Sequence, residues 1–274
     1  MIKTFTIKRL GEKMRVILNA DDYGCSPEAN EAIRYCFEKG YCTQASLMTN
    51  FGAVTDEAVA IAKANGFDDK LGVHINFTAG SPLSEEIKRV SVYVCNEKFI
   101  DPYDPKYKSS IHKLLPLHIN KIRGERRRQI EKYLSYDLSM MHCDFHYSIQ
   151  QDLPIWLAIR PLLDEYGFKT VRGLLYKPCY SNMYKKYTEL LGLIYNSFKG
   201  ARADVAVSVA GYDKYSKIKD LNNKVVEVFS HPTVIDGKYI DNYTGGKLMS
   251  ETVGGFLEEN KDSIQIITYS DLVQ

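Results

Sequence analysis

Short apolar runs alternate along the chain with stretches of helical period. Residues 15–20 (R-V-I-L-N-A) are apolar without alternation, the pattern of a strand covered on both faces. A helix is expected over residues 27–39, with Ser26 as N-cap, Pro27 in the first turn and Gly40 just past the end. The same reading gives strands at 43–48, 71–77, 141–146, 169–174, 205–209, 225–230 and 264–268, and helices at 55–65, 121–137, 153–166, 182–197 and 247–260. That makes eight strand candidates in regular alternation with helices. A mostly parallel sheet with helices outside follows, and eight such units predict an α/β fold, a closed or deformed (β/α) barrel. No linker divides it, so residues 14–274 are expected to form one domain, with residues 1–13 as an N-terminal extension. Residues 81–117 break the rhythm. They are proline-rich and irregular, with Tyr93, Phe99, Tyr103 and Tyr107 offering aromatic faces to a ligand if the segment covers a site.

In a barrel of this kind, reactive groups gather at the C-terminal strand ends. Four predicted strands end in suitable chemistry: Asp21-Asp22 after the first, His74 on the third, Asp144 and His146 in H-C-D-F-H, and His231 after residues 225–230. Four of the six histidines would meet at one rim. Each signal alone has a plainer reading: an Asp pair caps helices, a strand histidine fills a core, and His231-Pro232 ends a strand. Together they form a constellation. Two histidines and a carboxylate hold Zn²⁺, Fe²⁺ or another divalent ion, a second carboxylate accepts a proton from water, and a third histidine protonates a leaving group.

Composition narrows the setting. A net charge of +2, with 26% charged and 45% hydrophobic residues, describes a globular chain without a nucleic-acid or membrane surface. The six cysteines form no C-x-x-C pair and read as reduced thiols, and with no signal-like apolar run at the N-terminus a cytoplasmic location is expected. No stretch is apolar enough for a membrane span. Lys121, Arg123, Arg126, Arg127, Arg128 and Lys132, interleaved with Glu125 and Glu131, read as a solvated helix laced with ion pairs. Cys25 reads as a small residue in a tight turn.

The motifs N-A-D-D-Y-G-C-S (19–26), A-S-L-M-T-N (45–50), L-G-V-H-I-N-F-T-A-G-S-P-L (71–83), H-C-D-F-H (142–146) and E-V-F-S-H-P (227–232) resemble the YdjC-type carbohydrate deacetylases, a family that includes chitooligosaccharide deacetylase. The resemblance runs from about residue 14 to the C-terminus. It implies a deformed, polysaccharide-deacetylase-like (β/α) barrel that removes an N-acetyl group from an amino sugar with one divalent ion, magnesium or zinc. It places Asp22, His74 and His146 as metal ligands, Asp21 as general base and His231 as acid. Arg172 corresponds to a family arginine that orients a carboxylate or binds substrate, and Asp144 is assigned with it to substrate binding. An N-acetylated saccharide is the expected partner, and a homodimer is suggested. The family continues its D-x-H motif with further histidines, whereas Tyr147, Ser148, Ile149 and Gln150 stand here. The resemblance therefore speaks to the reaction more than to the sugar. Two other functions use the same parts: a metal-dependent phosphoesterase, which needs more cationic groups at the rim, and a silent sugar-binding barrel, which needs neither Asp21 nor His231.

Overall fold

The computed structural model describes residues 13–101, 118–147, 153–174, 182–195, 198–216 and 221–273. Residues 1–12 of the expected extension at 1–13 and the tyrosines Tyr103 and Tyr107 lie outside them, as do Ser148, Ile149 and Gln150. In chain order the elements are β1 (Met14–Tyr23), α1 (Pro27–Lys39), β2 (Gln44–Leu47), α2 (Ala53–Asn65), β3 (Leu71–Ile75), α3 (Glu85–Lys88), β4 (Val94–Cys95) and β5 (Lys98–Phe99). Then come α4 (Ile119–Leu134), β6 (His142–Phe145), α5 (Leu153–Glu165), β7 (Thr170–Val171), α6 (Asn182–Tyr195), β8 (Ala201–Arg202), β9 (Val205–Ser208) and α7 (Val209–Ser216). The chain closes with β10 (Val225–Ser230), β11 (Pro232–Ile235), β12 (Lys238–Asp241), β13 (Lys247–Leu248), α8 (Val253–Asn260), β14 (Ile264–Ile267) and a single turn at Tyr269–Leu272.

The main sheet has nine strands in the order β8-β7-β6-β3-β2-β1-β10-β9, with β14 also paired to β1. Every pairing in it is parallel. Its two end strands, β8 and β9, are separated in the chain by Ala203 and Asp204 alone, so the sheet must curl until its edges approach. A deformed barrel results. Gly173 lies on this seam: a Cβ there would stand 2.5 Å from the Ala203 carbonyl oxygen, so no side chain fits. β14 pairs with Met14–Ile17 and β2 with Asn19–Tyr23, so the last strand and the second share one edge of β1.

Strand alternation sorts the side chains. Val16, Leu18 and Ala20 face the helices with Ile33, Cys36, Ala58 and Ala62, while Ile17 turns inward with Ala203, Val225, Ile267 and Tyr269 to plug the bottom of the barrel. Above that plug the inward positions become polar: Asn19, Gln44, Ser46, Asp144, Arg172 and Glu227 are all buried. The capping read for α1 is present, with Ser26 accepting from Ala29 N–H (3.1 Å) and Gly40 left-handed at φ 70°.

Several expectations are corrected. The strand expected over 169–174 shortens to Thr170–Val171, and β8 adds a two-residue strand too short for periodicity to reveal. The helix expected from residue 247 starts at Val253, because Lys247 and Leu248 are taken into a hairpin edge against β12. Residues 81–101 are not irregular: they form α3 and the β4–β5 hairpin, and Tyr93 and Phe99 are buried, Phe99 against Phe77. Those two rings therefore face the core, where no sugar reaches them. The charged helix α4 is not a fully solvated face either. Glu125, Arg126 and Gln129 are buried, with Glu125 accepting backbone N–H groups from Leu83 and Ser84. Arg127, Arg128 and Lys132 form surface pairs with Glu165, Glu131 and Asp56.

Candidate active site

β1 reaches the rim through an irregularity. Its register with β2 shifts between Ala20 and Tyr23, and Asp22 adopts a left-handed φ of 69°. Such a bulge re-aims side chains at a strand end. Regular alternation would send Asp21 and Asp22 to opposite faces. Here Asp21 continues the inward row of Ile17 and Asn19, and Asp22 is turned toward the site as well.

Asp22, His74 and His146 come together, each offering a ligand atom within 4.8 Å of the others. Asp22 Oδ1 lies 2.9 Å from His146 Nδ1 and 3.2 Å from His74 Nε2. On its other side His74 Nδ1 meets Asp144 Oδ1 at 2.5 Å, which fixes the ring so that Nε2 faces Asp22. Nε2 is buried and makes no hydrogen bond of good geometry among the described residues. An orphaned imidazole nitrogen beside a second imidazole and a carboxylate is the donor set that a divalent cation takes. Burial disfavours the charged form of Asp22, yet His146 and His74 outweigh it and hold the carboxyl well below its usual range. Burial would also lower His74, but the Asp144 carboxylate outweighs it and raises the imidazole to about 10. A cation must therefore displace a proton to bind there.

A second carboxylate cluster lies directly beneath. Asp21, Asp144 and Glu227 also approach within 4.8 Å of one another, and the Arg172 guanidinium fills the space between them. Arg172 Nη1 and Nη2 fork onto Asp21 Oδ2 and Oδ1 at 2.8 and 2.5 Å, and Nε donates to Glu227 Oε1 at 2.8 Å. Substrate binding is the expectation for Asp144 and one of two for Arg172, the other being to orient a carboxylate, as it does Asp21. With 0% and 1% of their surface exposed, the two bond to protein groups instead of substrate. Asp144 joins the two clusters: it accepts from His74 on one side and from Arg172 (2.9 Å) and Ser46 on the other.

His231 follows β10 and stands across from Asp21, Nε2 to Oδ2 at 3.7 Å. The Tyr243 ring stacks on it with centroids 3.9 Å apart. Tyr243 is half-exposed and also borders a cavity of about 420 Å³ between α7 and α8. Asp241, from the same β11–β12 excursion, accepts the Tyr243 N–H (2.8 Å); burial raises its carboxyl, and His231 partly offsets the rise. The fourth histidine of the expected rim, His142, lies deeper. It is stacked on Tyr269 and bonded to Thr170, and burial pushes it down to about 3, so it is a neutral core residue.

Asn19, Gln44, Ser46, Glu227, Asp241, Tyr243 and Tyr269 were not singled out by the sequence. The inward parity of Asn19 with Asp21, and of Glu227 with Phe229 and His231, was the available signal for two of them. Tyr243 and Tyr269 sit on single turns after strands, where no periodicity marks them.

Comparison with known proteins places the chain in a family. The YdjC-like protein family matches residues 15–253. A carbohydrate deacetylase of Clostridium beijerinckii is 30% identical over 273 residues, covering 94% of this chain and 100% of the relative. A carbohydrate deacetylase of Listeria monocytogenes serotype 4b is 26% identical over 274 residues, with the same coverage. A crystal structure from Enterococcus faecalis V583, provisionally named a cellobiose-phosphate cleavage protein, shares the fold with a TM-score of 0.67 at 18% identity, covering 96% of this chain and 100% of that one. The chain belongs to the YdjC-like family.

Proposed function

We propose that this chain is a metal-dependent carbohydrate deacetylase that hydrolyses the N-acetyl amide of an amino sugar. The observation that carries the reading is the pairing of two adjacent carboxylates with different surroundings: Asp22 beside two histidines, and Asp21 beside Arg172 and His231. The carbohydrate deacetylases of Clostridium beijerinckii and Listeria monocytogenes support the substrate class. The pairing of the first strand with the last supports one domain over residues 14–274.

Asp22, His74 and His146 are the residues that would hold the cation, magnesium or zinc. When bound, such an ion lowers the pKa of water and polarises an amide carbonyl. Asp21 keeps one lone pair of Oδ2 on the side of His231 while the Arg172 fork fixes the carboxylate in place, so it serves as the base that takes a proton from the attacking water. His231 Nε2, facing it at 3.7 Å, supplies a proton to the departing amine. Asp144 aims His74, and Arg172 orients Asp21; neither touches the sugar. Tyr243 offers an aromatic face beside His231 for the saccharide ring.

The test is acetate release from a panel of N-acetylated mono- and oligosaccharides, with protein stripped by chelator and reloaded with Mg²⁺, Zn²⁺, Mn²⁺, Co²⁺ or Ni²⁺. Release from at least one saccharide, restored by one of these ions, is expected. Release that survives chelation would remove the metal from the reading, and release from none, with turnover of a sugar phosphate instead, would replace it with a phosphoesterase.

A further inference from the structure

We propose that Glu227 and Tyr269 are positioning residues for Asp21, acting through Arg172 as part of a closed ring of six buried residues. The proposal rests on reading Asp21 as the base. The ring can be followed atom by atom. Asp21 Oδ1 accepts from Asn19 Nδ2 (2.6 Å), Asn19 Oδ1 from Gln44 Nε2 (3.1 Å), and Gln44 Oε1 from the Tyr269 backbone N–H (3.1 Å). The Tyr269 hydroxyl donates to Glu227 Oε2 (2.6 Å), Glu227 Oε1 accepts from Arg172 Nε (2.8 Å), and Arg172 forks back onto Asp21. All six residues are buried.

The geometry gives each member a task. A guanidinium among three carboxylates has several competing poses, since Asp21, Asp144 and Glu227 all lie within its reach. Its planar fork engages one carboxylate bidentately only if its orientation is set elsewhere. Glu227 sets it by taking Nε, which leaves Nη1 on Asp21 Oδ2 and turns Nη2, also near Asp144 and Glu227, onto Asp21 Oδ1. Glu227 in turn is held by the Tyr269 hydroxyl, at the far end of the chain from Asp21 in sequence. On the other arc, Asn19 and Arg172 both donate to Asp21 Oδ1, so Oδ2 is the oxygen left facing His231. The turn that carries Tyr269 is itself anchored by a capping box between Thr268 and Asp271. The last turn of the described chain thus helps decide which oxygen of the base faces the reacting water.

The experiment compares wild type, Tyr269→Phe and Glu227→Gln as full-length, metal-loaded protein. Measurements are kcat and KM for acetate release, metal per chain, melting temperature, and a crystal structure of each variant. Tyr269→Phe keeps the ring that packs on His142 and removes only the hydroxyl. It is expected to lower kcat by roughly tenfold, the scale of one hydrogen bond to a charged group. KM should stay within about twofold and metal content unchanged, and the structure should show Arg172 turned from the fork on Asp21. Glu227→Gln, whose amide oxygen still accepts from Nε, should lose less, about threefold. If Tyr269→Phe does not fold, Glu227→Leu takes its place, with the same expectation. A folded, metal-loaded Tyr269→Phe with kcat within about twofold of wild type overturns the proposal. A fall in kcat that tracks lost metal or lost folded protein overturns it too. Activity and structure separate the two readings: a protein that releases acetate from no saccharide defeats the deacetylase reading, whereas an unmoved Arg172 fork in Tyr269→Phe defeats this one.

Discussion

Two clusters, each with three ligating groups inside 4.8 Å, are stacked in this barrel and have opposite chemistry. The upper one, Asp22 with His74 and His146, has an orphaned nitrogen, and the Asp22 side chain is 19% exposed. The lower one, Asp21 with Asp144 and Glu227, is sealed and already holds its cation in covalent form, as Arg172. A bare carboxylate triad would draw in an ion. The guanidinium occupies that place and fixes one carboxylate, Asp21, with Oδ2 toward His231. Residues adjacent in the chain thus acquire different surroundings from one bulge and one arginine.

The largest effect should follow from emptying the upper cluster of a donor. His74→Ala is expected to lose metal, read by elemental analysis of dialysed protein, and to lower turnover by about 10⁴-fold, equivalent to several kcal/mol of transition-state stabilisation. Retained metal with retained turnover would mean that the cation sits elsewhere. Asp21→Asn tests the lower cluster by the same two measurements. Metal should stay bound, and kcat should fall by roughly 10²–10⁴-fold, the scale of a lost general base. Loss of metal in this variant would make Asp21 a ligand and dissolve the contrast between the clusters.

Asp144 belongs to both clusters, so Asp144→Asn sharpens the contrast. The neutral amide still accepts from His74 Nδ1 but no longer favours its charged form. Metal affinity is expected to weaken about 10–100-fold, as for other partners of metal-bound histidines. The pH at which metal displaces the proton from His74 should move down, because the carboxylate that raises this imidazole is gone. Titration with a competing chelator at several pH values reads both.

How much of this was legible in the sequence depends on the scale of the signal. The apolar runs of β1, β3 and β10 mark strands buried on both faces, and the Ser26-Pro27 start and Gly40 stop mark α1 closely, because caps are local chemistry. The convergence of Asp21, Asp22, His74, His146 and His231 also follows from strand ends alone. The depth of each side chain does not. Asp144 and His146 share a strand face in the sequence, but β6 ends at Phe145, so Asp144 lies in the dry interior and His146 just past the strand's end, at the rim. Likewise the basic run in α4 looks solvated until β3 and the segment after it pack on Glu125, Arg126 and Gln129. Tyr269 is invisible for the same reason: its partners Glu227 and Gln44 are 42 and 225 residues away.

The smallest expected effect concerns protons in the lower cluster, where three carboxylates face one guanidinium. Burial raises the Glu227 carboxyl, Arg172 only partly opposes this, and the result is about 7. In the unfolded chain a glutamate releases its proton near pH 4.3. Between about pH 4.3 and 7 the folded protein therefore holds a proton that the unfolded chain has lost, and stability falls as pH rises through that window. Asp22 and Asp144 are held low, so their contributions are present above roughly pH 3.9 and are lost only as pH falls below it. His142, pushed down to about 3, works the other way: the unfolded histidine takes up a proton below about pH 6.5, so its contribution grows with rising pH. His142 opposes Glu227 in the wild-type profile, and Glu227→Gln removes the Glu227 contribution alone. Urea unfolding at pH 5 and pH 7 should show the variant gaining stability relative to wild type as pH rises, by no more than about 1.4 kcal/mol per pH unit, the limit for one proton. A difference that does not change with pH would mean that Glu227 is ionised throughout, and that Arg172 balances all three carboxylates without the help of a proton.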